Sequence, residues 1–135
     1  MAIIGGAGNP VGGSFTGPAQ ALELVGDRCY AYSGALTVTD ADTTLFEFQT
    51  GNYYAVVEWF PIFFESTTDN MSWTIFLNEA KVQRNEADST TDNNESVPLR
   101  LVLPAYTNLK MVAFNEQSST GRSVGSTLTG RIYRD

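Results

Sequence analysis

Met71-Ser72-Trp73-Thr74-Ile75-Phe76-Leu77 alternates large apolar side chains with small hydroxyl-bearing ones. Successive side chains of a strand point to opposite faces, so Met71, Trp73, Ile75 and Leu77 share one face while Ser72 and Thr74 share the other. A period of two predicts a strand with one buried face, and Phe76 breaks the polar side. Trp73 lies within the apolar stripe and is expected in the core rather than on a ligand platform.

Working outward, Tyr53 to Glu65 is the most apolar run of the chain. Its centre, Val56-Val57-Glu58-Trp59-Phe60, predicts a central strand covered on both faces, with Pro61 marking a bulge, an edge or a bend. Thr43 to Gln49 alternates, placing Leu45 opposite the neighbouring phenyl rings, and stops at the turn Thr50-Gly51-Asn52. Ala21 to Val25 ends at Gly26-Asp27, and Cys29 to Val38 carries Gly34 as a bulge. On the other side, Val97 to Leu103 runs up to Pro104, followed by Thr107 to Phe114 and Ser123 to Tyr133. Val124, Ser126, Leu128, Gly130 and Ile132 share a face of the last run. Between these, Lys81 to Glu95 is acidic and amide-rich and reads as a solvated loop. No tract of helical periodicity reaches the length of an ordinary helix. The expected fold is all-β, a single antiparallel β-sandwich, specifically a jelly roll of about eight strands; an immunoglobulin-like sandwich or small barrel is the alternative.

At 135 residues the chain suits one domain. The boundary is set at residue 20, with a glycine-punctuated N-terminal arm over 1–20 and the sandwich over 21–135. Glycine costs backbone entropy on ordering, so the arm is expected to order only against another surface.

The sequence holds no histidine and a single cysteine, Cys29. That removes the usual zinc and copper ligands, any intramolecular disulfide, and every Ser/His/Asp or Cys/His arrangement. No enzyme activity, cofactor or metal is expected. The net charge of −7, with eight basic residues read as scattered, argues against a nucleic-acid partner. The apolar run around Glu58 and Pro61 is too short to span a bilayer, so no membrane role is expected. The start Met1-Ala2-Ile3-Ile4-Gly5-Gly6 lacks a basic segment followed by an apolar one, which predicts no secretory signal and a chain kept in the cytoplasm where it is made.

Several residue groups invite chemistry. Asp40-Ala41-Asp42 and the acidic stretch Asn85 to Glu95 offer hard oxygen ligands, but turn-forming hydrogen bonding explains Asp and Asn there better, and the glycine and distal glutamate of a calcium loop are missing. Glu58 and Glu65 have the residue types of a glycosidase pair, yet their odd spacing along a strand points them to opposite faces. Trp59, Trp73, Tyr53, Tyr54, Tyr106 and Tyr133 include the aromatics of a sugar-stacking platform, and Tyr106, in a loop after Pro104, is the best exposed candidate. Cys29 is expected as a small buried hydrophobe with Arg28 on the opposite face. Gly5-Gly6 and Gly12-Gly13 lack the strand, lysine and helix of a phosphate loop.

Leu101-Val102-Leu103-Pro104-Ala105-Tyr106-Thr107-Asn108-Leu109-Lys110, followed by Thr127-Leu128-Thr129-Gly130-Arg131-Ile132-Tyr133, resembles the C-terminal half of small virion proteins of tailed bacteriophages, of cyanophage and marine-phage type. The resemblance covers the last third of the chain and implies a capsid decoration, or cement, protein. Such a protein would sit on the capsid exterior of the virion after synthesis in the host cytoplasm, bind between major capsid protein subunits, and form a homo-oligomer, with a trimer favoured. Within this reading Ile3, Ile4, Val11 and Phe15 are the arm's anchors, with Tyr106 as a further contact. The alternatives are a carbohydrate-binding β-sandwich module of a tail, fibre or capsid surface, and a single-jelly-roll capsid protein.

Overall fold

A computed structural model describes residues 21–89 and 99–134. Among them the chain forms β1 (Glu23–Val25), β2 (Arg28–Tyr32), β3 (Leu36–Val38), β4 (Thr43–Gln49), β5 (Tyr54–Phe63), β6 (Met71–Leu77), β7 (Ala80–Ala87), β8 (Leu99–Leu103), β9 (Asn108–Asn115) and β10 (Arg122–Tyr133), and no helix. The arm, with Ile3, Ile4, Val11 and Phe15, lies outside the described residues, as does the acidic stretch from Thr90 to Glu95.

The strands pair in nested order. The hairpin β6–β7 is innermost. Around it β5 pairs with β8, then β4 with β9, and outermost β2 with β10, all antiparallel. This long hairpin folds over on itself because β10 also pairs with β5 and β9 with β6. Two sheets result, ordered β1-β2-β10-β5-β8, with β3 also on β10, and β4-β9-β6-β7. Taking β2 and β3 as one interrupted strand and β1 as an added edge, this is the eight-strand jelly roll. The immunoglobulin-like and barrel alternatives do not form.

At the tip of the innermost hairpin, Asn78 and Glu79 have φ of 50° and 72°. Two successive left-handed residues are what a type I′ turn requires, and that turn matches the twist of the strands it joins. The Asn78 Oδ1 accepts a hydrogen bond from the Asn108 backbone N–H at 3.0 Å, tying the tip to β9.

The core lies between the sheets, where Leu45, Phe46, Trp59, Met71, Trp73, Ile75, Leu109 and Leu128 are all fully buried. Both indoles meet the demand that a buried N–H find an acceptor. Trp73 Nε1 donates to the Gly125 carbonyl at 3.1 Å, and Trp59 Nε1 donates to Gln83 Oε1 at 2.9 Å. Phe63 packs edge-on against Trp73, with ring centroids 5.4 Å apart.

Four local expectations are corrected. Ala80–Ala87 is a strand, not the beginning of a loop: it is the edge strand of the smaller sheet, held by its ladder to β6. Its hydrophobic pattern is weak because one inward residue, Gln83, is polar and satisfied; it accepts from Trp59 and donates through Nε2 to the Arg100 carbonyl at 2.7 Å, bridging the two sheets. The strand β5 is covered on one face only, since Ala55, Val57 and Trp59 are buried while Tyr54 and Val56 are exposed. In β4 a bulge at Leu45 turns both Leu45 and Phe46 into the core, so the two do not lie on opposite sides. Gly34, with φ of 70°, does more than bulge: Ser33, Gly34 and Ala35 interrupt the strand, with the Ser33 backbone N–H still donating to the Ser126 carbonyl at 3.1 Å, and β2 and β3 pair with β10 at separate registers. Pro61 lies beyond the pairing of β5 with β8 and, among the described residues, borders β10 alone, an edge-like position that tolerates its missing N–H.

Candidate binding face

The larger sheet turns a row-by-row pattern outward because its strands are in register. One row runs Val25, Arg28, Arg131, Val56, Val102, and the next runs Glu23, Tyr30, Thr129, Glu58, Arg100. Beyond the first row Tyr133 stands opposite Tyr54, and the two rings stack with centroids 5.2 Å apart and planes 16° from parallel. Tyr30 and Tyr32, two apart on β2, bring their rings to 5.1 Å. Tyr54, Tyr133, Val25 and Val102 are all exposed.

Across these rows runs an open groove of about 540 Å3, with Arg28 and Tyr30 on one side, Val56 and Arg100 on the other, and Thr129 and Gly130 between. Gly130 is required there. A Cβ at this position would stand 2.1 Å from the Val56 carbonyl oxygen and 2.7 Å from Val57 Cα, so only glycine lets β10 lie this close to β5.

Three of the chain's eight basic residues, Arg28, Arg100 and Arg131, meet at this groove, which corrects the reading of them as scattered. Arg100 donates through Nε to Glu58 Oε2 at 3.1 Å. Arg131 donates through Nη2 to Asp27 Oδ2 at 2.7 Å, and the hydrogen bond and charge of Arg131 hold the Asp27 carboxyl below its ordinary range. Arg28 reaches the same carboxylate only at 4.0 Å. Strand spacing could not reveal this grouping, since the three arginines come from three strands distant in sequence; the alternation of β2, β8 and β10 was the one available signal.

The other sequence candidates are placed as follows. Tyr106 is 62% exposed in the β8–β9 turn with φ of 54°, its backbone N–H donating to the Gly51 carbonyl at 3.1 Å. Cys29 is buried beneath the groove, where desolvation raises its pKa and suppresses the thiolate, while Arg28 faces outward. Trp59 and Trp73 are both buried, and the exposed aromatics of the larger sheet's strands are the tyrosines Tyr32, Tyr54 and Tyr133. Glu58 stands opposite Thr129, whereas Glu65 accepts from the Ser123 backbone N–H at 2.8 Å. Those two points on β10 are about 20 Å apart at the rise of a strand, too far for a glycosidase pair. Asp40 and Asp42 lie in the β3–β4 turn, and among the described residues no group of three or more potential ligands could hold a metal ion. Nor, among those residues, is any helix long and apolar enough to cross a membrane.

Stacked phenol rings, exposed valines and a few fixed charges over a shallow groove can hold a ligand with an apolar face and a hydroxyl rim. Glu58 is engaged by Arg100, and Cys29 is sealed below the groove.

No protein-family model matches the chain, and no curated protein matches it. Among solved structures, it is similar to a family 35 carbohydrate binding module from an environmental isolate, with 13% identity and a TM-score of 0.45 over 88% of this chain and 84% of that one. It is also similar to part of the cycloalternan-forming enzyme from Listeria monocytogenes in complex with a pentasaccharide substrate, with 16% identity and a TM-score of 0.46, covering 85% of this chain but only 11% of that one. An uncharacterized protein from Listeria monocytogenes EGD-e, in complex with glucose, magnesium and calcium, matches to the same extent. At these identities and TM-scores the likeness extends to no ligand and no activity.

Proposed function

We propose that this chain is a carbohydrate-binding β-sandwich that takes its ligand on the outward face of the larger sheet. The observation that carries the reading is the stacked Tyr54–Tyr133 pair standing beside the arginine-flanked groove. The C–H faces of a pyranose pack on aromatic rings, and its hydroxyls accept from guanidinium forks. A rigid antiparallel sheet presents these groups without the ordering cost a loop site carries.

Because neither tryptophan reaches the surface, the informative probe is not tryptophan quenching. Affinity electrophoresis of the full chain through gels containing a panel of soluble polysaccharides is expected to show retardation by at least one member. The double substitution Tyr54→Ala, Tyr133→Ala is expected to abolish it while leaving the melting transition cooperative. No retardation across a broad panel, or retardation indifferent to the double substitution, would overturn the reading.

One observation favours capsid decoration as a second reading. The two segments that resemble phage virion proteins flank β5 in one sheet, placing Val102, Arg131 and Tyr133 on this same outward face. Co-sedimentation with emptied capsids of a tailed phage, lost on Val102→Asp, would support it, and absence of co-sedimentation would remove it.

A further inference from the structure

Arg28 and Arg131 are direct cross-strand partners on an exposed sheet face. Like charges placed opposite one another in this way are destabilising, and the usual remedy is a carboxylate for each. Here, among the described residues, one carboxylate serves both, Asp27, at 2.7 Å from Arg131 and 4.0 Å from Arg28. The Arg28 side chain is 69% exposed. On the far side of the groove Arg100 engages Glu58 through Nε and is 79% exposed. The chain as a whole is acidic, at −7, so carboxylates to complete these pairs are not scarce in its composition. Guanidinium groups are nonetheless concentrated where the tyrosine stack ends and the groove begins.

We infer that the groove selects anionic saccharides, with a carboxylate or sulfate group of the sugar seated between Arg28 and Arg131 and the ring packed toward Tyr133. This rests on the carbohydrate-binding reading and adds the class of sugar. The planar fork of arginine matches both oxyanions bidentately, which lysine would not. The acid supplies the second counter-charge that the pair lacks, and Thr129 between the strands leaves room for the sugar ring above the floor. The surrounding negative charge repels polyanions at long range, so affinity depends on this local seat rather than on the overall field.

The test compares matched probes on the full chain: polygalacturonate against its methyl ester, and dextran sulfate against dextran. The first pair isolates the carboxylate, the second the sulfate. At least one anionic member is expected to bind about tenfold or more tighter than its neutral counterpart, and Arg28→Gln and Arg131→Gln are each expected to weaken it about 10- to 100-fold, the scale of one charge-assisted hydrogen bond. Arg84→Gln, on the opposite sheet, serves as the control and leaves binding unchanged. Thermal melts of each variant confirm folding. Equal binding of charged and neutral members, or indifference to both arginine substitutions, overturns the selection while the site stands if Tyr54→Ala, Tyr133→Ala still abolishes binding. If no saccharide binds at all, the site and its selectivity fall together.

Discussion

The two sheets of this sandwich are both antiparallel and each keeps one face on a common core, yet their outward faces are finished differently. On the smaller sheet the charges close on one another. Arg84 donates to Glu86 at 2.6 Å and to Glu116 at 2.9 Å, Ser72 donates to Glu116 at 2.8 Å, and Asn70 donates to Glu86 at 2.6 Å. Val112, though outward, is buried among its neighbours, and among the described residues Val82 is the one exposed large hydrophobic on the strands of that sheet. The larger sheet leaves Val25, Tyr32, Tyr54, Val56, Val102 and Tyr133 exposed on its outward face, with arginines that share too few carboxylates. Exposed apolar surface gathered on one face of a folded domain marks a place of contact, whereas a closed polar network serves solubility and local order. One sheet completes its polar network; the other leaves apolar and cationic groups open at its surface.

The largest effect that would break this contrast comes from Gly130. Gly130→Ala places a methyl group 2.1 Å from the Val56 carbonyl oxygen, forcing β10 off β5 at the centre of the larger sheet. A loss of about 3 kcal/mol, the upper range for overpacking, is expected from urea unfolding midpoints. Next is the bridge between the sheets. Gln83→Ala leaves the Trp59 indole N–H and the Arg100 carbonyl without their side-chain partner, and a loss of about 2 kcal/mol is expected in the same measurement.

The open face sharpens the comparison at smaller magnitudes. Tyr54→Ala is expected to lower stability by about 1 kcal/mol, the scale of an aromatic cross-strand pair, while a binding role predicts a far larger loss of affinity than of stability. Calorimetry and titration on one sample read both. The smallest effect belongs to the closed face. Hydrogen bonds from Arg84, then Asn70, hold the Glu86 carboxyl below its ordinary 4.5. A depressed carboxylate stabilises the fold above its unfolded value and loses that contribution as pH falls through the folded one. The Tm of the parent protein is therefore expected to drop on acidification below 4.5, and Glu86→Gln to show a shallower drop; identical slopes would mean the network adds nothing.

Much of this was legible from alternation. Met71 to Leu77 read directly as a strand, with Trp73 inward and Phe76 outward, and Cys29 and Arg28 parted to opposite faces as their spacing required. The strand β7 was missed because its inward Gln83 carries hydrogen bonds instead of hydrophobic burial, and because Asn78-Glu79 makes a turn usually announced by glycine. Val56 is expected inside and is found exposed because an apolar run cannot state whether its second face will be covered; that depends on whether another layer exists.

What the sequence by itself determined is therefore the local periodicity: strands rather than helices, which residues alternate together, and a set of residue types without histidine-based chemistry. Only the tertiary structure decided the nesting of β2 with β10 and of β5 with β8, and with it the meeting of Arg28, Arg100 and Arg131 at one groove. The reason is physical. A period of two follows from backbone geometry within a few residues, but register between strands separated by a hundred residues is set by which long-range pairing buries the most apolar surface, and that sum is taken over the whole chain.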